Sequence, residues 1–240
     1  MTTSEAIEHL LEVQSHDTHL DQIRHRLEVL PERTDRDERR ATLADLEARV
    51  QARKDERDDL ARRQKRLDDE VETIDAKRKA HDATLYGGSV TNARELQDLQ
   101  EEIASLSRRI DDLEEQELEL MEQIEPIDAD LTGLLTDRDR HLIDLDTAEA
   151  KLVAAEAEVH VELDRAQADR DREAEQVPAD LLAEYEGLRR GGGGVGIARL
   201  IGGNQCGGCH LTLSAVEVAA MRKDPDLVTH CEECGRLLVS

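Results

Sequence analysis

Residues 96–134 read LQDLQEEIASLSRRIDDLEEQELELMEQIEPIDADLTGL, and the spacing of their apolar residues decides the fold. Steps of alternately three and four residues pass through Leu96, Leu99, Ile103, Leu106, Ile110, Leu113, Glu117, Leu120, Ile124, Ile127, Leu131 and Leu134. Eleven of these twelve are apolar, and the residues between them are mostly charged. This is a heptad seam, a stripe on one side of a helix that needs a second helix to cover it. Its continuation through Leu142, Leu145, Leu152, Val159 and Leu163 is looser and shifts register, with Ala at some seam positions.

The covering helix lies upstream. The same stepping from Leu43 reaches Leu46, Val50, Arg53, Arg57, Leu60, Gln64, Leu67, Val71, Ile74, Arg78, His81 and Leu85, and eight of these thirteen positions are apolar. Between the two seams stands Tyr86-Gly87-Gly88-Ser89-Val90-Thr91-Asn92. The glycine pair stops the first helix, since Gly costs about 1 kcal/mol in a helix interior. Asn92 or Thr91 then caps the second, with Glu95 in capping-box position after Asn92. So short a break makes the helices antiparallel neighbours. The expectation is a helical hairpin with arms roughly 60–65 Å long, at about 1.5 Å per residue. Pairing about Gly88 sets side by side positions whose numbers sum to roughly 178. Leu67 is then expected near Ile110 and Leu113, and Ile74 near Ile103 and Leu106. Two prolines interrupt the arms: Leu30-Pro31 ends a first helical segment carrying Ile7, Leu10, Leu20, Ile23 and Leu27, and Pro126 implies a local bend opposite Arg53 and Arg57.

Composition agrees with this plan. Of 240 residues, 37% are charged and 38% apolar, with no Phe, no Trp and only Tyr86 and Tyr185 as aromatics. An aromatic-packed globular core is excluded, and long helices fit. The net charge of −25 is unevenly spread. The first 188 residues hold 26 basic and 52 acidic residues, whereas Arg189–Ser240 holds six basic and five acidic. The long acidic part repels phosphate backbones and anionic membranes. No apolar run reaches membrane-spanning length, and Met1–Leu10 lacks the pattern of a secretory leader. A soluble, cytoplasmic protein is expected.

The hairpin is expected to occupy 1–176, with its tip near 86–92. Val177-Pro178 opens a short helix with Leu181, Leu182, Tyr185 and Leu188 on one side. Arg189-Arg190-Gly191-Gly192-Gly193-Gly194 follows as a flexible pivot, so that 177–194 forms a linker. Gly191, Gly193 and Gly196 satisfy GxGxxG only by letter, because a helix precedes and a strand follows, the reverse of a dinucleotide site. Arg189 and Arg190 beside the glycines are candidates for holding a phosphate, against the simpler reading of a soluble linker flank.

Residues 195–240 differ in kind. All four cysteines lie here, as Cys206-Gly207-Gly208-Cys209 and Cys231-Glu232-Glu233-Cys234. Each CxxC places two thiolates on one side of a tight turn, and two such turns complete a tetrahedron for Zn²⁺. Strand-like stretches 195–201, 210–213, 227–230 and 236–239 surround them. Ser214-Ala215-Val216-Glu217 is a capping box that opens a short helix. This is the plan of a zinc ribbon, with Cys206, Cys209, Cys231 and Cys234 as ligands of one structural zinc. An iron–sulfur cluster on four thiolates is the open alternative. A redox CxxC would need one pair in a βαβ context. His210 and His230 flank the cysteines as surface residues or substitute ligands. A four-thiolate site has no free position at which to activate water, and no nucleophile–base set stands out, so an enzyme is not expected.

The tip Leu85-Tyr86-Gly87-Gly88, the following Asn92-Ala93-Arg94-Glu95-Leu96-Gln97-Asp98-Leu99, and the tail from Gly202 to Leu211 with Cys231–Leu238 together resemble the bacterial C4-type zinc-ribbon family that carries a long coiled-coil hairpin. The resemblance spans essentially the whole chain. It implies a non-enzymatic adaptor that binds protein partners. Some members are implicated in binding the enhancer-dependent alternative sigma factor, in flagellar or type III secretion biogenesis, and in contacting messenger RNA. A nucleic-acid-binding regulator acting through the ribbon is therefore the alternative reading. Tyr86, Val90 and Asn92 at the tip, with Arg189 and Arg190, are the candidate partner-binding residues. Tyr86 could instead fold back on Leu96 and close the helix end.

Overall fold

The computed structural model describes residues 3–224 and 228–240. Four helices come first: α1 (Thr3–Glu28), α2 (Pro31–Tyr86), α3 (Ala93–Ala174) and α4 (Ala179–Gly191). A small sheet follows, with β1 (Ile197–Ile201), β2 (Gln205–Cys206), α5 (Ala215–Lys223), β3 (Thr229–His230) and β4 (Leu237–Val239). The chain packs as two compact units, residues 36–148 and residues 1–35 with 149–240.

In the unit 36–148, α2 and α3 form the antiparallel hairpin. Leu46, Val50 and Leu60 of α2 bury against Leu120, Ile127, Leu131 and Leu134 of α3, with Leu67 and Ile124 at the margin. At the tip, Gly88 takes a φ of +72°. Asn92 caps α3, its Oδ1 accepting from the Arg94 N–H at 3.0 Å and its carbonyl from the Leu96 N–H at 3.0 Å. Ion pairs cross between the arms at Lys77–Glu102, Arg109–Glu70, Arg57–Asp128, Arg53–Asp130 and Arg39–Asp144. The two nearest the tip have position numbers summing to 179, near the expected 178; the other three sum to between 183 and 185. Leu67 accordingly shares a groove with Gln116, Glu119 and Leu120, beyond the expected Ile110 and Leu113. The seam of α2 has Arg53, Arg57 and Gln64 where leucines would interlock, and the two arginines reach across instead to Asp128 and Asp130, which follow Pro126. Through Pro126 itself α3 runs unbroken.

In the other unit, α1 ends at Glu28 and Pro31 begins α2, with the Leu30 carbonyl accepting from Arg33 N–H at 3.0 Å. Pro suits a first helical position because its missing N–H would have had no partner there. Leu20, Ile23 and Leu30 bury against Leu152, Val159 and Ala166, so α1 is the cover for the looser end of the α3 seam. Arg26–Glu162 and Arg33–Glu156 flank this contact.

The sheet has the order β2-β1-β4-β3, with β1 parallel to β4 and the other neighbours antiparallel. Of the expected strands, 210–213 contributes only a single bridge, Thr212 to Gln205. Residue 227 lies outside the described residues. The capping box on α5 is present, with Ser214 Oγ accepting from Glu217 N–H and Glu217 Oε2 from Ser214 N–H.

The packing groups the chain differently from the expected segments 1–176, 177–194 and 195–240. Ile197, Leu237 and Val239 of the sheet share one core with Ile7, Leu10 and Val13 of α1 and with Tyr185 of α4. The glycine run expected as a pivot is held on both sides. Gln14 donates to the Gly194 carbonyl at 3.0 Å and accepts from the Gly196 N–H at 2.7 Å. Arg236 donates to the carbonyls of Val195 and Gly192. Glycine is needed at 196 for space: a Cβ there would stand 2.6 Å from the Tyr185 carbonyl oxygen and 2.7 Å from its ring.

Candidate metal centre and interaction surfaces

The sequence Cys-x-x-Cys builds the same turn twice. In the first knuckle the His210 N–H donates to the Cys206 carbonyl at 2.8 Å; in the second the Gly235 N–H donates to the Cys231 carbonyl at 2.8 Å. The residue after each second cysteine adopts a left-handed backbone, with φ of +62° at His210 and +74° at Gly235. Gly235 does this at no steric cost, whereas His210 is the one non-glycine with positive φ among the described residues. Gly207 serves by close approach rather than by φ, since a Cβ there would meet the Arg199 carbonyl at 2.7 Å.

The knuckles bring all four sulfurs together, within 4.8 Å of one another. Cys206 Sγ lies 3.9 Å from Cys234 Sγ, and Cys209 Sγ lies 3.8 Å from Cys231 Sγ. Four sulfurs at about 2.3 Å from a central ion would stand about 3.8 Å apart as the edges of a tetrahedron. The donor set therefore suits a structural metal. None of the four is in a disulfide. Cys206 and Cys231 are buried, in a cluster with Ala198, Leu213, Val218, Met221 and Leu238. Burial pushes the Cys231 thiol up to about 12. Burial also opposes ionisation of Cys234, but hydrogen bonds from the Arg236 backbone and side chain outweigh it and bring that thiol down to about 7. A bound cation favours the thiolate form of all four.

Behind the ribbon lies a polar cluster that the sequence did not single out. Asp17 is 5% exposed, and Tyr185 is fully buried. The Tyr185 hydroxyl donates to Asp17 Oδ2 at 2.7 Å, and Arg170 Nε donates to Asp17 Oδ1 at 3.3 Å. Arg170 also holds Glu186 at 2.7 Å, and Arg189 binds the Asp17 carbonyl and Asp21 Oδ2. A carboxylate so enclosed is stable only with its lone pairs occupied. This joins α1, α3 and α4. Gln14, Asp17 and Asp21 recur at spacings of three and four on α1, but in a chain full of carboxylates that signal is invisible.

Residues 13–193 match the CT398-like coiled coil hairpin domain, and residues 205–238 match the C4-type zinc ribbon domain. The chain belongs to the CT398-like coiled-coil hairpin family. A Mycobacterium tuberculosis relative, described as an uncharacterized protein, is 32% identical over 234 residues, covering 96% of this chain and 93% of the relative. A solved Mycobacterium smegmatis structure superposes with a TM-score of 0.88 at 27% identity, covering 100% of this chain and 99% of that one. The structure of CT398 from Chlamydia trachomatis gives a TM-score of 0.77 at 18% identity, covering 99% and 98%, and so shares the fold.

In this CT398-like hairpin the candidate partner-binding residues fare unequally. Tyr86 is 83% exposed and does not fold back on Leu96. Val90 is half-buried, and Asn92 is exposed but occupied as the α3 cap. Arg189 is not free for a phosphate, because Asp17 and Asp21 engage it; Arg190 is exposed. His230 pairs with Glu184 at 2.8 Å, and His210 is exposed. Neither histidine is among the clustered ligand atoms. His16 and His19 flank Asp17, whose carboxylate is taken up by Tyr185 and Arg170. No described helix is long and apolar enough to cross a membrane.

Proposed function

We propose that this protein is a non-enzymatic, zinc-binding adaptor of the cytoplasm. One structural zinc per chain is held by Cys206, Cys209, Cys231 and Cys234. Protein partners bind at the hairpin tip, around Tyr86 and Val90, and on the ribbon. Their class, following the family resemblance, is the transcription or secretion machinery. The observation that carries the reading is Tyr86, the larger share of this chain's aromatic surface, left 83% exposed at a helix turn where no seam partner reaches it. Exposed aromatic groups on a rigid support are the usual anchors of protein interfaces. The ribbon supplies a second surface, with Leu211 50% and Val216 80% exposed. The long acidic arms repel anionic competitors.

Nucleic-acid binding through the ribbon is the weaker reading. Arg199 is paired with Glu8, and Arg236 and Arg222 bind backbone carbonyls, leaving Arg190 and Lys223 as its outward cations.

Two measurements test the proposal. Metal analysis of purified protein should find one zinc per chain; iron with visible absorbance would overturn the metal assignment. A photo-crosslinking side chain at position 86 of the full chain should capture a protein, and the purified pair should lose affinity on Tyr86→Ala with Val90→Ala. Full binding by that double variant would remove the tip from recognition. Salt-dependent retention of single-stranded RNA, unaffected by the tip variant, would favour the nucleic-acid reading instead.

A further inference from the structure

The side of α3 that faces away from the seam carries an isolated apolar pair. Leu118 and Met121 lie one turn apart and are 59% and 51% exposed, while Leu113 and Leu120 on the seam side are buried. Glu114 and Glu115 precede Leu118 by four and three residues. Glu122 and Glu125 follow Leu118 and Met121 by four. Side chains at such spacings share a helix face, so these six form one patch about three turns, or roughly 16 Å, long.

Along α3 the charge around the pair has one sign, although Arg63 of α2 lines a groove with Glu122. From Asp111 through Asp137, α3 has eleven acidic residues and no Lys or Arg. Asp128 and Asp130 are answered by Arg57 and Arg53 across the hairpin. The eight carboxylates from Asp111 to Glu125 form no ion pair with any described residue. The crowding registers at Glu117, whose carboxyl is held above its usual range by burial first and then by the charges of Asp68 and Glu114.

We propose that this face of α3 docks a cationic amphipathic helix of a partner protein, with apolar residues on Leu118 and Met121 and Lys or Arg residues on Glu114, Glu115, Glu122 and Glu125. Charge complementarity selects this occupant. An apolar pair ringed by unanswered carboxylates rejects acidic helices, phosphate backbones and anionic lipid surfaces, and the same face on a second copy is equally negative. A helix is the fitting shape because two anchors one turn apart match the apolar spacing of another helix. The surface lies on the shaft and is independent of recognition at the tip or the ribbon.

The test uses the full chain and a labelled Leu/Lys peptide of about twenty residues, long enough to be helical, with leucines at i, i+3 and i+4. A peptide of the same composition in scrambled order, with no apolar face, is the comparison. Fluorescence anisotropy should show the amphipathic peptide binding at least about tenfold more tightly than the scrambled one. Leu118→Ala with Met121→Ala should abolish that preference and leave a residual attraction that fades with salt. Val153→Ala with Val161→Ala, which trims two other exposed apolar residues, should leave the preference intact. All four positions are exposed, so an unchanged thermal midpoint can verify folding. Equal affinity for the two peptides, or an undiminished preference in the Leu118/Met121 variant, would overturn the proposal. So would sedimentation showing that the wild type dimerises and that this variant does not, which would assign the face to a second copy.

Discussion

The Tyr185 hydroxyl and the Asp17 carboxylate, 168 positions apart in the chain, meet at 2.7 Å in a site closed to water. Their contact ties α4 to α1, and Arg170 and Arg189 converge on the same acid. Tyr185→Phe removes one hydrogen bond and should cost about 1–2 kcal/mol in denaturant unfolding. Asp17→Ala leaves two arginines facing a site without its anion and should cost more, about 3 kcal/mol.

The same contact predicts a response to alkali. Burial, then the hydrogen bond to Asp17, raises the Tyr185 phenol well above its ordinary value of 10.0. A raised folded-state value means that the fold holds the proton more tightly than the unfolded chain does. The associated stability is therefore complete below pH 10.0 and is lost as pH rises beyond it. Wild type should lose stability in that range more steeply than Tyr185→Phe, as unfolding curves at stepped pH would show.

Gly196→Ala should be among the most damaging single-atom additions. The new Cβ would meet a backbone oxygen at 2.6 Å, and neither α4 nor β1 can withdraw without opening the core that Tyr185 and Ile197 share. Overpacking of this kind costs about 1–3 kcal/mol. Thermal unfolding would read it directly.

His210→Gly should act in the opposite direction. The left-handed backbone at His210 is strained for any residue with a Cβ, and Gly235 shows the relaxed solution in the second knuckle. The substitution should stabilise the ribbon by up to about 1 kcal/mol, seen as slower metal loss to a chelator. An unchanged or faster loss would mean that the imidazole contributes more than the strain it imposes.

Metal removal should reach beyond the ribbon. Seen from the sequence alone, Cys206→Ser or Cys231→Ser would unfold the ribbon and leave far-UV helicity almost unchanged. The shared core changes that expectation, because Ile7, Leu10 and Val13 are covered by Ile197, Leu237 and Val239. Hydrogen exchange on chelator-treated protein should show lost protection in α1 and α4 as well as in the ribbon, with α2 and α3 between residues 36 and 148 still protected.

What was legible in the sequence followed from periodicity and spacing. The Leu96–Leu134 seam, the glycine tip, the break at Pro31, the capping box at Ser214 and the doubled CxxC each have a local physical cause, and each appears in the structure. The partner of α1 was not legible, because Leu152, Val159 and Ala166 lie on a seam thinned by alanines. Nor was the docking of the ribbon. It depends on Gln14, Asp17 and Arg189, ordinary polar residues whose importance comes only from being brought together across more than 160 positions. The glycine run read as a pivot for the same reason: its restraints come from Gln14 and Arg236, and nothing within the run announces them.

The embedding of the ribbon in the helical base also sets an order of events during synthesis. Ile7, Leu10 and Val13 leave the ribosome long before three of the side chains that cover them, Ile197, Leu237 and Val239. The hairpin arms can pair as soon as α3 emerges, since their contacts are nested about the tip. The face of α1 must wait for β1 and β4 and for the metal that shapes the ribbon. Until then the apolar stripe of α1 lacks the cover of the sheet, and a ribosome that stalls before the second CxxC leaves it so. The closing contact thus follows the folding of both knuckles, and a metal-starved product leaves the same stripe exposed.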